Sequence, residues 1–237
     1  MKKITKTGIL LILLVVPVLI FLFLKNFGQN HFTLPRYIPL MDSTTGNVKF
    51  EKVIYKGEEI NDTVFHSIPN FNLTDQNGKP QNSNLFKNKI HIAEFIFTRC
   101  PGQCPIMSKE MQRVQESFEN EKDVIILSYS VDPEFDTPEN LKIYANNLGA
   151  IDGKWYFLTG QKKEIYRMAY YGYFVTAKEE NKNLTNLEDR FVHTDKCILV
   201  DSKGHIRGFY NGTDRKDIDK LVLETKVLLH ELKQERK

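Results

Sequence analysis

Cysteine is scarce in this chain, with three in 237 residues: Cys100, Cys104 and Cys197. So few thiols exclude a disulfide-stapled scaffold, and leave the cysteines to chemistry or to accident. Proline is missing after Pro138, and tryptophan occurs once, at Trp155. No basic patch exists either. The formal net charge of +3 belongs to Lys2, Lys3, Lys6 and Lys25, without which the remainder sits near −1. Nucleic-acid binding therefore has no compositional support. Internal repeats and low-complexity segments are also lacking.

One long apolar run is present, from Gly8 to Leu24, about long enough to cross a bilayer with little tilt. The lysines before it place residues 1–7 in the cytoplasm and everything after Lys25 outside. A cleaved signal peptide fits the same pattern, but no small-x-small cleavage site and no lipobox cysteine follow Leu24. The reading is a single-pass anchor at 8–24 in the inner (cytoplasmic) membrane, with the rest on the periplasmic or outer face. Residues 25–47, polar and irregular with Pro35 and Pro39, read as a tether, and 48–237 as one domain large enough for a full core.

Within the domain, Val48–Tyr55 alternates like an edge strand, and Phe71–Thr74 followed by Asp75-Gln76-Asn77-Gly78 reads as strand and turn. Ile90–Phe97 and Val124–Val131 are near-continuous apolar runs, as expected of strands buried on both faces. Met107, Met111, Val114 and Phe118 recur at helical spacing, which makes core packing their better reading. Thr137-Pro138-Glu139 supplies an N-cap, a first-turn proline and an early acid for a helix that Gly149 stops. A short strand at Trp155–Leu158, a helix at Gln161–Ala169, a hairpin over Lys196–Tyr210 and a closing helix from Asp214 to about Gln234 complete the pattern. This order predicts an α/β fold with a mixed sheet flanked by helices.

The reactive feature is Cys100-Pro-Gly-Gln-Cys104-Pro105, set between a buried strand and a helix. Pro105 fits the first helical position, which makes Cys104 the expected N-cap and puts both sulfurs near the positive end of a helix dipole. Arg99 adds a fixed positive charge. Thiolates so placed serve either a soft metal such as copper(I) or a disulfide.

The segment Phe97–Pro105 resembles the CPxxCP signature of the Sco/SenC family of copper-delivery proteins. Ser130–Pro138 resembles that family's VDPxxDTP segment, Trp155–Gly160 its WxFLTG strand, and Val192-His193-Thr194 stands where its copper-binding histidine stands. The resemblance runs from about Phe71 to the C-terminus and implies a thioredoxin-like domain. It implies copper, as Cu(I) or Cu(II), held by Cys100, Cys104 and His193, and a partner that is the copper-A subunit of a terminal oxidase or another copper acceptor. There are two departures from the pattern: Arg99 stands where His or a small polar residue is common, and Gly102-Gln103 replaces an Asp followed by an apolar residue.

The rival function is a thiol-disulfide oxidoreductase cycling Cys100 and Cys104 as a redox-active pair, which also has its attacking and resolving thiols. Against it, similar reductases carry a cis-proline opposite the cysteines, and His193 occupies that region here. Cys197 reads as a small core residue, Asp132 as either a turn former or an orienting group, and Tyr170, Tyr171 and Tyr173 as packing.

Overall fold

The computed structural model describes residues 3–27, 33–55, 57–175 and 194–236. The chain divides into two compact units, Met1–Thr33 and Leu34–Lys237. The first is a single helix, α1 (Lys3–Phe27), with Pro17 inside it and the side chains from Ile12 to Phe23 largely exposed. It covers the run expected as an anchor; among the described residues, no helix is long and apolar enough to cross a membrane.

The second unit is built on β3 (Asn72–Asp75), β4 (Pro80–Asn82), β5 (Ile90–Ile96), β6 (Val124–Ser130), β7 (Trp155–Thr159), β8 (Lys196–Val200) and β9 (Ile206–Asn211). Their order is β4-β3-β7-β6-β5-β8-β9. Strands β5, β6 and β7 run parallel, and antiparallel strands flank them on both sides. Helices α2 (Gln103–Ser117), α3 (Pro138–Asn147), α4 (Lys162–Arg167) and α5 (Arg215–Glu235) supply the crossovers and the end of the chain. The expected mixed sheet flanked by helices is present, and it is the thioredoxin-like arrangement. A separate ribbon pairs β1 (Phe50–Tyr55) with β2 (Glu58–Thr63).

Strand periodicity sorts the core into two layers. Ile90, Ile92 and Ile96 of β5 face a layer shared with Cys100, Cys104, Met107, Trp155, Cys197, Leu221 and Leu228. Ala93 and Phe95 face the other, with Tyr129, Ile165, Met168 and Tyr173. Between β3 and β7, buried Gln76 stands in for missing ladder bonds: its Nε2 donates to Trp155 O at 3.0 Å and its Oε1 accepts from Phe157 N at 2.9 Å.

The local expectations for α3 hold, with Thr137 accepting from Asn140 N and Gly149 at φ +63°. The expected third helix ends sooner: α4 passes into a wide turn of π type over Met168–Gly172. The expected tether is also shorter than 25–47. Leu34 is buried, Arg207 Nη2 donates to Leu34 O at 2.5 Å, Arg207 Nε donates to Pro35 O at 3.0 Å, and Tyr37 N donates to Ile206 O at 2.9 Å. This segment looks irregular in sequence because most of its backbone partners, side chains of β9 and α5 and backbone groups of Val64, His66 and Ile206, lie far along the chain.

Candidate functional site

The cysteine loop leaves the C-terminal end of β5 and turns directly into α2. The expected N-cap was Cys104; the observed one is Gly102, with φ −121°, ψ −96° and no side-chain cap. Cys104 is therefore the second residue of the helix and Pro105 the third, still within the turn whose N–H groups lack helical partners. Glycine provides no capping oxygen, and a sulfur takes that role. Cys100 Sγ accepts from the backbone N–H groups of Cys104, Gly102 and Gln103. Burial alone would raise the Cys100 thiol; these donors outweigh it and hold the thiol below its ordinary value.

Cys104 goes the opposite way. Burial pushes its thiol far up despite a bond from Phe97 N–H, and the hydrogen bond and charge of Cys100, with the charge of Glu94, add to the rise. The expectation that the helix dipole favours both thiolates is thus corrected. Cys100 lies at the mouth of the helix, whereas Cys104 lies inside its first turn and faces the core, where desolvation wins. All three cysteines are free thiols, and the first two share a hydrogen bond.

The loop is fastened from outside by the segment after β6. Asp136, fully buried, accepts from Thr98 N at 3.1 Å, from the Thr98 hydroxyl and from Ser130 Oγ at 2.5 Å. Arg99 Nη2 donates to Asp132 Oδ2 at 2.6 Å, and its guanidinium lies 4.0 Å from the Phe135 ring centroid. Asp132 thus orients the loop as well as ending a strand. Asp136 escaped the sequence reading, although its spacing within Ser130–Pro138 was a signal.

Beneath the pair lies a second residue the sequence reading missed. Glu94 is fully buried on the thiol side of β5; its Oε1 accepts from Ser128 Oγ at 2.6 Å, and Ser128 Oγ in turn accepts from Trp155 Nε1 at 2.8 Å. Burial raises its carboxyl to about 7, against the pull of Ser128. Tyr144, hydrogen-bonded to Ser108 Oγ at 2.8 Å, is pushed up to about 12 by burial.

Cys197 is fully buried in the same layer, as the core reading required. His193 lies outside the described residues. Among the described residues no group of three His, Cys, Asp or Glu side chains could hold a metal, so any third donor for the sulfur pair must come from elsewhere.

Comparison with known proteins agrees with this geometry. The chain is 32% identical over 172 residues to the SCO1 protein homolog of Bacillus subtilis, covering 72% of this chain and 86% of the relative. A SCO1/SenC family lipoprotein from Bacillus anthracis superposes with TM-score 0.60 at 28% identity, over 69% of this chain and 95% of that one. Bradyrhizobium japonicum ScoI, solved with copper bound, gives TM-score 0.55 at 27% identity over 69% and 99%. BsSco, a member of the Sco family of cytochrome c oxidase assembly proteins, gives 0.58 at 30% identity over 71% and 96%. The SCO1/SenC family model matches residues 61–229, a span that takes in the cysteine loop, its Asp132–Asp136 fastening and the sheet beneath them. A chain that matches over that length, with this fold and these motifs in order, belongs to the SCO1/SenC family.

Proposed function

We propose that this chain carries copper as Cu(I) or Cu(II) on Cys100, Cys104 and His193, and passes it by ligand exchange to the copper-A site of a terminal oxidase. The observation that carries this reading is the sulfur pair itself: one thiol held toward thiolate by three N–H groups, the other hydrogen-bonded to it from the same loop. Two such sulfurs suit a soft ion, and an imidazole beside them suits the cupric form. The register supports His193 as the third ligand. Strand β8 runs antiparallel to β5, with Ala93 opposite Ile198, so the start of β8 lies toward the end of β5 from which the cysteine loop departs. His193 precedes that start. The copper-bound relative and the oxidase-assembly relative support the cargo and its destination.

The apolar run 8–24 serves as the anchor in this reading, with the domain on the outer face of the cytoplasmic membrane. Its helical state, exposed apolar side chains and preceding lysines support that role. Retention of the chain in the membrane fraction after alkaline washing checks it; release into the soluble fraction overturns it.

The decisive experiment is equilibrium copper binding by the full chain in detergent, for wild type, Cys100→Ala and His193→Ala. Stoichiometry and affinity collapse in both variants if the reading holds. Unchanged binding in both overturns it. A second reading, thiol-disulfide oxidoreductase, is favoured by the unequal thiols, since an attacking thiolate and a protonated resolving thiol are what disulfide exchange needs. His193→Ala separates the two: a copper carrier loses copper and keeps its thiol reactivity, whereas an oxidoreductase loses disulfide reduction.

A further inference from the structure

Ribbon β1–β2 is hydrogen-bonded into neither edge of the seven-stranded sheet, and none of its residues joins either core layer. A two-stranded ribbon is marginal by itself in water. Here the segment before it carries it: Leu40 N donates to Val64 O at 2.8 Å, Lys49 N donates to Leu40 O at 2.8 Å, and Met41 is bridged to Val48.

Register sorts its side chains. Phe50 stands opposite Thr63 and Ile54 opposite Glu59, so Phe50, Lys52 and Ile54 share one face, and Met41, opposite Val48, falls on the same side. The other face is turned toward the preceding segment: Asp62 pairs with Arg36 at 3.2 Å, and Val53 is half-buried. On the first face Met41 is 57%, Phe50 58% and Ile54 82% exposed. Single exposed apolar residues are ordinary, but a row of them along an otherwise unpaired ribbon marks a contact surface.

Covalent continuity names the occupant. Helix α1 ends at Phe27 and the second unit starts at Leu34, so seven peptide steps separate them, a reach of about 25 Å at full extension. No slack is drawn from beyond Leu34, because Arg207 and Glu231 hold that residue's backbone and its side chain is buried. With residues 8–24 in the bilayer, the segment from Leu34 to Met41 and the ribbon bonded to it have the least chain between them and the lipid. Charge fits a neutral surface. Residues 49–62 hold three lysines and four carboxylates, and Lys52, between Phe50 and Ile54, is paired with Glu59 at 3.0 Å.

We propose that the face of ribbon β1–β2 carrying Met41, Phe50 and Ile54 rests in the headgroup–acyl boundary of the membrane, a second lipid contact that holds the domain against the bilayer in one orientation. Phe50 and Ile54 enter the boundary, while the long stem of Lys52 returns its ammonium to the headgroups. This inference rests on the anchor reading of 8–24 and is independent of copper.

The test uses the full chain reconstituted into vesicles of zwitterionic phosphatidylcholine, plain or with brominated acyl chains, which quench a tryptophan only on contact. Trp155 is fully buried and gives a constant background. In Ile54→Trp and, separately, Phe50→Trp, the added emission is expected to shift to the blue and to be mostly lost in brominated vesicles. In Glu51→Trp, on the opposite face of the same strand, and in Ile143→Trp, exposed on α3, it is expected to survive. Unquenched emission in both Ile54→Trp and Phe50→Trp overturns the proposal, as does equal quenching in all the variants, which means a chain lying on lipid with no preferred face. A blue shift without quenching that grows with protein density in the vesicles also overturns it, in favour of a second copy of the chain as occupant. Flotation of the vesicles separates this contact from the anchor: a chain that floats but is not quenched loses the ribbon contact alone, whereas a chain left at the bottom of the gradient loses the anchor and the contact with it.

Discussion

Arg99 and Asp132 join the two loops at the end of the sheet, Nη2 to Oδ2 at 2.6 Å, although they stand 33 residues apart in the sequence. The guanidinium also covers the Phe135 ring at 4.0 Å. Arg99 is 57% exposed, so solvent screens the ion pair and most of its worth lies in the stacked ring. Arg99→Ala is expected to lower the unfolding free energy by about 1 kcal/mol or less in urea titrations. Part of that difference disappears at high salt. Arg99→Lys recovers little of it, because a compact ammonium cannot both donate to Asp132 and spread over the Phe135 ring as a guanidinium does.

Asp136 is a stronger fastening than Arg99, because it is buried and accepts from Thr98 twice and from Ser130 once. Asp136→Ala leaves the buried Ser130 hydroxyl and the half-buried N–H and hydroxyl of Thr98 without their acceptor. An orphaned buried group costs about 1–3 kcal/mol and a half-buried one less, so a loss of roughly 1–3 kcal/mol is expected in denaturant unfolding. Thr98 is two residues before Cys100, so the same variant should slow alkylation of Cys100 at neutral pH, as the loop frees its sulfur from the N–H groups that hold it toward thiolate. A variant of wild-type stability and wild-type Cys100 labelling would contradict this role.

Much of this site is legible in the sequence, for local physical reasons. A buried strand ending in a two-cysteine turn, a proline in the first helical turn and the Thr137-Pro138 start of α3 each follow from short-range rules, and each is present. What escaped depends on distant partners. Cys104 was read as the N-cap because Pro105 follows it. The helix starts two residues earlier, since Cys100 Sγ accepts the N–H groups that a cap would otherwise serve. Glu94 was hidden inside an apolar run, where the strand pattern is unchanged by one carboxyl and only the packing of β6 and β7 shows what holds it. Leu34 looked like tether because the groups that bind its backbone, Arg207 and Glu231, lie at the other end of the chain.

Stability should respond to pH through two buried groups of opposite sense. Burial holds His91 down to about 3, so the folded state stays neutral while the unfolded chain takes up a proton below its ordinary value near 6.5. Stability from this group is whole above about pH 6.5 and falls as pH drops toward 3. Burial raises Glu94 to about 7, so the folded state keeps a proton that the unfolded chain releases above about 4.5. That contribution is whole below about pH 4.5 and is lost as pH rises toward 7. Between 4.5 and 6.5 the two slopes oppose each other, with His66, also lowered by burial, adding to the side of His91, so wild-type stability should change less with pH than that of a variant without Glu94. Glu94→Gln removes one slope, so its stability should climb with pH across this window by up to about 1.4 kcal/mol per unit. Urea midpoints at half-unit steps check this, and a Glu94→Gln profile as flat as wild type would sink it.

Gly212, just past the end of β9, is where the backbone closes over the thiol layer. A β-carbon there would stand 2.8 Å from Cys197 Sγ and 3.0 Å from Met107 Cε. Methionine is flexible and can withdraw, whereas Cys197 is fixed on β8 and fully buried. Gly212→Ala should therefore cost about 1–3 kcal/mol by overpacking. Cys197→Ala removes the sulfur and leaves a small void, which is also destabilising alone. Together the two changes put a methyl group beside the space the sulfur vacates. The double variant should then be more stable than the sum of its parts implies, with a coupling of about 0.5–3 kcal/mol in a double-mutant cycle. Simple additivity would mean that Met107, rather than Cys197, is what the added carbon meets, and Met107→Ala in the Gly212→Ala background would then relieve the cost instead.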